Sequence, residues 1–388
     1  MSHSSGASST RQVDLIWNIT LVCPLDCAVC CVDAVHVARR AGQIHLRSRT
    51  LTEAEQVPYQ AGKGTPFDQA MALRQQQGLE LDLAGKLRVL EHLAGCMPRI
   101  DFSGGDPLAA AENLQVLRIA AQRFGRQQIT LTATGAGLAR CDPEEIAPGI
   151  SELNFTYDSH GQEGSPNRPA GYAHGNLKKA TRFALAGVRT RAECPLSAQN
   201  ISDESLHRLY MNLHDAGIAK FLIMRLFPVG RGTLRASEIP TPNQYRRAIQ
   251  LLRELEAQFG YPQVKLQCAL RFFDSQAMRE NPCDLLRESL GIMADGTLLT
   301  SAWAVGSSGK PLHDAWVLGN LALTPLSELL NSEKAQDYER RLDDNFGHCK
   351  IFAFLHSKRE NPMDRMFDEA DPLYSGVDDQ VAELSLVH

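Results

Sequence analysis

From residue 13 to residue 228, short apolar runs alternate with segments of helical periodicity. The apolar runs are rich in β-branched and aromatic residues and predict six strands, at 13–20, 99–104, 128–134, 150–158, 188–197 and 220–228. Helical periodicity lies between most of them, at 109–125, 175–187 and 202–217. This alternation predicts an α/β fold of parallel strands joined by right-handed helical crossovers. Because six units are found rather than eight, we expect an open, TIM-like partial (β/α)6 barrel.

The first crossover, residues 31–98, is much longer than the others. Residues 56–69 resemble a loop between helical stretches, and we interpret residues 42–80 as an insertion that covers a site at the carboxyl ends of the strands. His36, Arg39 and Arg40 fall on a predicted helix early in this crossover, and we interpret the two arginines as part of a solvated helix face.

Beyond residue 230 the pattern changes. A long helix is predicted at 241–260, a short strand at 264–269, and a hairpin at 290–303 that turns at Asp295-Gly296. We therefore divide the chain into a disordered N-terminus, the barrel, a small α+β domain and an acidic tail, at 1–12, 13–235, 236–360 and 361–388.

Composition narrows the possible classes of protein. A hydrophobic content of 43% over 388 residues is enough for a substantial core and excludes a disordered or fibrous chain. Lys and Arg total 40 against 45 Asp and Glu, so the formal charge is −5 and the whole chain offers no basic field to nucleic acid or anionic membranes. No apolar run approaches the ~18 residues of a membrane span, and the N-terminus lacks a secretory signal. We expect a soluble, cytoplasmic protein with no nucleic-acid or membrane partner.

Three of the ten cysteines form a C-x3-C-x2-C motif, Cys23, Cys27 and Cys30, directly after the first predicted strand. Their thiolates should converge in one loop at the carboxyl end of that strand. A tetrahedral zinc ion would require a fourth protein ligand, whereas a [4Fe–4S] cluster can be held through three of its irons. The spacing alone leaves zinc and simple packing open as alternatives.

This motif and its context resemble the radical S-adenosylmethionine (SAM) superfamily, in which C-x3-C-x2-C follows the first strand of a partial (β/α)6 barrel. A second motif at the end of the second strand is similar to the family's GGE/DP sequence, whose backbone holds the amino group of SAM; it comprises Ser103, Gly104, Gly105, Asp106 and Pro107. The resemblance covers roughly residues 13–232. It implies a [4Fe–4S] cluster on Cys23, Cys27 and Cys30, with SAM bound beside it.

Further SAM-contacting residues are implied by the same resemblance. Thr156 and Asp158 end the fourth strand, where the family has an S-L-D-type sequence, and Arg168 falls where related enzymes place an arginine that reaches the SAM carboxylate. Residues 225–232 resemble the region that flanks the adenosine. The alternatives are a surface arginine at position 168 and a turn-capping role for Asp158.

The C-terminal region resembles the SPASM or shorter twitch extension of many radical SAM enzymes. That extension supplies auxiliary-cluster ligands through a C-x9–15-G-x4-C run, which here is Cys283-x12-Gly296-x4-Ser301. Because Ser301 replaces a cysteine and the later C-x2-C-x5-C is missing, the resemblance allows at most one auxiliary [4Fe–4S] cluster, on Cys268, Cys283 and Cys349. Its last position would be taken by Ser301, another ligand or substrate. The alternative is that these cysteines only pack.

The resemblance implies reductive cleavage of SAM to a 5′-deoxyadenosyl radical, which abstracts hydrogen from a substrate. The architecture is most similar to members that crosslink or oxidise ribosomally synthesised peptides, with an electron donor such as flavodoxin or ferredoxin. A radical SAM dehydrogenase or epimerase acting on a small metabolite such as a sugar is one alternative. A non-catalytic iron–sulfur electron carrier or zinc module is another. No general base can be chosen from the sequence.

Overall fold

The computed structural model describes residues 11–48, 55–160, 165, 167–274, 281–283, 285–286 and 289–375. The predicted disordered start, apart from Arg11 and Gln12, and residues 376–388 of the predicted tail lie outside these ranges. Within them, the strands are β1 (Gln12–Thr20), β2 (Val22–Cys23), β3 (Val35–Arg40), β4 (Gln43–Arg47), β5 (Glu55–Pro58), β6 (Met97–Gly104), β7 (Ile129–Thr132), β8 (Glu152–Thr156), β9 (Arg189–Leu196), β10 (Lys220–Arg225), β11 (Gln263–Leu266), β12 (Leu290–Ile292), β13 (Thr297–Leu299) and β14 (Val317–Asn320).

The helices of the described ranges lie between and after these strands. They are α1 (Pro66–Gln76), α2 (Leu83–His92), α3 (Ala111–Phe124), α4 (Gly135–Leu138), α5 (Pro143–Ile146), α6 (Tyr172–Leu185), α7 (Asp203–Asp215), α8 (Pro242–Phe259), α9 (Leu326–Leu330), α10 (Glu333–Arg340), α11 (Lys350–His356) and α12 (Pro362–Arg365). None of these helices is both long enough and apolar enough to cross a membrane.

A ten-stranded sheet forms the centre of the molecule, in the order β11-β10-β9-β8-β7-β6-β1-β12-β13-β14. Neighbours from β11 to β12 are parallel, and β13 and β14 continue the sheet in antiparallel pairing. The six predicted strands are β1 and β6 to β10, and they lie side by side, which confirms the prediction of a parallel α/β barrel. The strand predicted near 264 is β11 and pairs with β10, while the predicted hairpin starts beside β1. Elements beyond residue 236 thus extend both edges of the barrel sheet.

The core lies between this sheet and the helices that cover its outer side. β1 is nearly continuous in buried residues, as expected for a central strand covered on both faces. Trp17 on β1 packs against Phe102 on β6, with ring centroids 5.5 Å apart. Buried side chains of the covering helices complete this core, among them Leu117, Phe183 and Leu209.

The long first crossover folds differently from the prediction. A second sheet, in the order β2-β3-β4-β5, begins in the cysteine motif, so the helix predicted at His36 is wrong over β3. The loop predicted at 56–69 is wrong over β5 and over the start of α1. The residues alternate with period two: Val35, Val37, Ile44 and Leu46 are buried, whereas their neighbours face outward. Helix α1 packs over the buried side, and this alternation explains why the segment forms strands.

The long first crossover is joined to the barrel by a buried carboxylate. Glu80 accepts hydrogen bonds from the Thr20 hydroxyl at 2.7 Å and from the Leu21 amide at 2.9 Å. Arg74 of α1 donates to the same carboxylate at 2.6 Å. The end of β1, just before the cysteine motif, is therefore fixed by residues of this crossover.

Residues 361–375, which their acidic composition suggests as a tail, dock on the rest of the chain. Met366, Phe367 and Leu373 are buried among the acidic residues of this segment. Asp371 is buried as well, because it forms a two-fold ion pair with Arg225 at the end of β10, at 2.7 and 2.8 Å. The segment is therefore held to the barrel by apolar contacts and by one carboxylate.

Candidate functional site

A cavity of about 350 Å³ opens at the carboxyl ends of the barrel strands. Its wall brings together eight of the residues that the sequence singles out: Cys23, Cys27, Cys30, Ser103, Gly104, Gly105, Thr156 and Arg168. Cys268 and Trp303 from the C-terminal region line the same cavity. Asp106, Pro107 and Asp158 are buried and do not line this cavity.

The cysteine loop is held by Arg231, which lies in the run 225–232 that the resemblance assigns to the region flanking the adenosine; its contact with the loop was not predicted. Arg231, 1% exposed, donates from Nε to Asp33 at 2.8 Å and from Nη1 to the Cys27 carbonyl at 2.5 Å. Its Nη2 donates to the carbonyl of Ala34, and its backbone amide donates to the Cys30 carbonyl at 2.9 Å. A single side chain from beyond the sixth barrel strand thus shapes the loop.

The three thiols are close enough to influence one another. Burial raises the pKa of Cys23, and the neighbouring Cys27 and Cys30 raise it further. Burial also raises the pKa of Cys27, which the Arg168 guanidinium opposes. Within the described ranges, no three His, Cys, Asp or Glu side chains converge as the ligands of one metal ion would. The three soft thiols around part of one cavity fit a larger group such as a [4Fe–4S] cluster, whose irons are ligated separately.

The glycine motif supports the base of the cysteine loop. The Gly105 amide donates to the Thr20 carbonyl at 2.8 Å, and the Asp106 amide donates to the Val22 carbonyl at 2.9 Å. A Cβ atom on Gly105 would overlap the carbonyl oxygens of Leu21 and Val22. Glycine is therefore required because two backbone segments cross in contact.

Asp106 turns away from the cavity. Its carboxylate accepts hydrogen bonds from the Thr134 hydroxyl at 2.5 Å and from the Leu108 amide at 3.1 Å. Burial raises the pKa of Asp106 to about 6 despite these donors. In the structure this residue ties the glycine motif to the start of α4.

Arg168 is an internal residue, with its side chain 9% exposed. It pairs with Asp158 at 2.7 Å and donates to the Val29 carbonyl, within the cysteine loop, at 2.9 Å. Asn200 donates to the Asp158 carbonyl at 3.0 Å. The loop after β8 is therefore linked to the cysteine motif through this one guanidinium.

Charged side chains line the barrel beneath these residues, which the sequence analysis missed. Asp101 on β6 accepts hydrogen bonds from Thr130 and Thr132, both at 2.7 Å. Arg191 on β9 donates to Glu193 at 3.0 Å, and burial raises the pKa of both Asp101 and Glu193. The period-two spacing of Arg191 and Glu193 was the available signal, since both lie on one face of the strand. The floor of the cavity is therefore polar.

The C-terminal cysteines approach one another. A hydrogen bond from Cys268 lowers the pKa of Cys349. Burial lowers the pKa of Lys350, and the Cys283 and Cys349 thiols nearby oppose that shift. Ser301 is buried, and its hydroxyl oxygen accepts a hydrogen bond from the Trp303 amide at 3.4 Å. The three residues of the proposed auxiliary site thus lie in one region, where Cys268 also reaches the cavity.

Comparison of the sequence with protein-family models and with curated proteins finds no match. Comparison with solved structures finds similar folds at low sequence identity. Native anSMEcpe with bound AdoMet and Cp18Cys peptide is 12% identical, with a TM-score of 0.55 over 86% of this chain and 83% of that one. Streptococcus suis SuiB bound to precursor peptide SuiA is 15% identical, with a TM-score of 0.56 over 85% and 67%.

A second Streptococcus suis SuiB structure matches with a TM-score of 0.60 at 13% identity, over 91% of this chain and 76% of that one. Each match spans both the barrel and the C-terminal region of this chain. The chain therefore has the same fold as anSMEcpe and SuiB, a TIM-like partial barrel joined to a C-terminal domain.

Proposed function

We propose that the chain is a radical SAM enzyme whose [4Fe–4S] cluster is held by Cys23, Cys27 and Cys30. The observation that carries this proposal is that the three thiols share one cavity wall with the glycine motif, at the carboxyl edge of the barrel. When bound, the reduced cluster and SAM supply a 5′-deoxyadenosyl radical that removes a hydrogen atom from substrate. The chain's own residues bind and orient these groups.

Arg168 is suited to bind the SAM carboxylate. A guanidinium has five N–H donors, and the ion pair with Asp158 together with the Val29 carbonyl occupies only some of them. The remaining donors can serve a carboxylate in the cavity that Arg168 lines, and Asp158 keeps the guanidinium in place. Thr156 and the backbone of Ser103, Gly104 and Gly105 are proposed as further SAM contacts, with Asp106, Pro107 and Asp158 as supports.

An auxiliary cluster on Cys268, Cys283 and Cys349 is proposed in addition. Cys268 lines the main cavity, so a cluster there would provide an electron acceptor close to the substrate. Such an acceptor suits net oxidation or bond formation, in which the substrate radical loses an electron, rather than a reaction in which the radical regains a hydrogen atom. The alternative, that the three cysteines only pack, remains the competing hypothesis.

The proposed substrate is a ribosomally synthesised peptide that undergoes crosslinking or oxidation, in a cytoplasmic setting, with flavodoxin or ferredoxin as electron donor. Support comes from the likeness in fold to anSMEcpe with its Cp18Cys peptide and to SuiB with its precursor peptide. A small metabolite such as a sugar is the alternative substrate, since the polar floor formed by Asp101, Arg191 and Glu193 also suits hydroxyl groups.

The test is 5′-deoxyadenosine formation from SAM after anaerobic cluster reconstitution, with a strong reductant. The wild type should form 5′-deoxyadenosine, and Cys30→Ala should form none. Cys96→Ala is the matched control, because Cys96 packs against the core away from the cavity, and it should behave as the wild type. If the wild type carries iron and sulfide but cleaves no SAM, the enzyme assignment fails and an electron carrier takes its place.

A further inference from the structure

The small sheet that follows the cysteine motif has one apolar and one basic side. Val35 and Val37 of β3, with Ile44 and Leu46 of β4, are buried under α1. The alternate positions face outward, and the strand pairing sets them next to one another: His36 lies opposite Arg47, and His45 lies opposite Ala38. We define the basic face as His36, Arg40, His45 and Arg47.

The basic face begins beside a proposed cluster ligand. Cys23 on β2 pairs directly with His36 on β3, and neighbouring strands are ~4.8 Å apart. β4, which carries His45 and Arg47, is only one strand further. A second pocket, of about 440 Å³, is lined by both His36 and Arg168, and Arg168 also lines the main cavity. The basic face thus adjoins the loop that carries the proposed cluster ligands.

The positive charge of this face comes from its two arginines, Arg40 and Arg47, because histidine is counted as neutral at pH 7. The whole chain carries a formal charge of −5. On the basic face, Arg40 is exposed and the Arg47 side chain is 52% exposed, with Asp26 at 2.5 Å as its ion-pair partner. Arg39, at the end of the same strand, lies 3.9 Å over the Tyr59 ring. Burial lowers the pKa of His36, Asp26 opposes that shift, and Arg47 and Arg40 lower the pKa further.

Position and charge together identify the partner that fits. The proposed chemistry needs an electron from outside, and an electron reaches a cluster most readily through the nearest accessible surface. None of the four residues of the basic face lines the main cavity, so this surface lies outside the space proposed for SAM and substrate. A positive patch favours encounter with a protein whose redox group is ringed by carboxylates.

We propose that the basic face is the docking surface for an acidic one-electron donor protein, an inference that rests on the proposed function. On docking, the reduced group of the donor loses one electron and the cluster gains it, so the net charge of the cluster falls by one. Arg231 and Arg168 connect the cysteine loop to the barrel behind the docking face.

The test measures reduction of the reconstituted cluster by photoreduced flavodoxin, followed anaerobically by the loss of cluster absorbance. Arg40→Glu should lower the second-order rate constant about tenfold at low ionic strength, and the difference should shrink at ~0.5 M salt because charges are then screened. Photoreduced 5-deazaflavin, a small neutral reductant, should reduce both proteins at the same rate.

Arg88→Glu is the matched control, because Arg88 is an exposed residue of α2 outside the basic face. This substitution changes the net charge of the protein by the same amount as Arg40→Glu. It should leave the rate with flavodoxin nearly unchanged. An equal loss of the rate constant in the two variants, or no loss in either, would contradict the proposal that the basic face is the docking surface. Failure of the wild type to take up iron and sulfide is a different result, because it contradicts the proposed function before any donor is added.

Discussion

Arg231 and Asp33 form an ion pair of 2.8 Å in which the two side chains are 1% and 0% exposed. Asp33 follows the last cysteine of the motif and also accepts a hydrogen bond from Ser48 at 2.5 Å. Arg231 follows the sixth predicted barrel strand. The pair therefore fixes the cysteine loop to the end of the barrel, where the ring of strands brings two distant parts of the chain together.

Arg231→Ala should destabilise the protein by about 3–5 kcal/mol, because it removes the buried guanidinium that balances the charge of the Asp33 carboxylate. It should also lower the iron content after reconstitution, since the carbonyls of Cys27 and Ala34 lose their donor. Denaturant unfolding and iron analysis measure the two effects.

Arg118→Ala is the control for that variant. Arg118 pairs with Glu145 on the surface, with side chains 49% and 42% exposed, so its loss should cost only about 0–1 kcal/mol and leave the iron content unchanged. Equal behaviour of the two arginine variants would contradict the clamping role of Arg231.

Gly105→Ala should lower the free energy of unfolding by about 1–3 kcal/mol, since the added methyl group overlaps two carbonyl oxygens below the cysteine loop. It should also reduce cluster incorporation. The amide bonds from Gly105 and Asp106 to the end of β1 would lengthen or break. Gly175→Ala provides the comparison: no atom lies within 4 Å of its added Cβ, and it lies within α6. That variant should be stabilised by roughly 0.5–1 kcal/mol. Chemical denaturation of both variants measures these opposite changes in the free energy of unfolding.

The sequence predicted the barrel well because its signals are local. Period-two runs and helical periodicity are properties of neighbouring residues, and the spacing of Cys23, Cys27 and Cys30 can be seen without knowing the fold. The contact between Arg231 and the cysteine loop could not be seen, since it joins residues about two hundred positions apart and depends on how the strands close.

The errors in prediction have physical reasons of their own. The VHVARR run of β3 is too short to distinguish the two periods, and pairing with β4 decides its conformation. Asp371 lies in an acidic stretch where nothing local marks it as buried, and its place is set by Arg225 on β10. Polar residues inside the barrel were overlooked because a strand is expected to bury apolar side chains.

Asp371→Asn should destabilise the protein by about 3–5 kcal/mol at neutral pH, because Arg225 would remain buried without a carboxylate. Burial alone would raise the pKa of Asp371, but Arg225 outweighs it and holds that pKa below the ordinary value of 3.8. The stabilisation by the Arg225–Asp371 ion pair is therefore complete above pH ~4 and is lost as the pH falls through the lowered pKa of Asp371. The difference between wild type and variant should narrow below pH ~4 in unfolding experiments on the cluster-free chain. Asp203→Asn, at an exposed pair with Arg247, should change the unfolding midpoint little at any pH.

The two hypotheses for Cys268, Cys283 and Cys349 differ in how much iron they predict. If these residues hold an auxiliary cluster, replacing Cys23, Cys27 and Cys30 together by alanine should leave about four irons per chain. Replacing the three C-terminal cysteines should also leave about four, with SAM cleavage retained, because the cluster that cleaves SAM has its own ligands. A double Cys96→Ala, Cys141→Ala variant, at positions that pack against the core, should retain the iron content of the wild type. If the chain without Cys23, Cys27 and Cys30 binds no iron, the C-terminal cysteines only pack, and the substrate radical must be resolved without a second cluster.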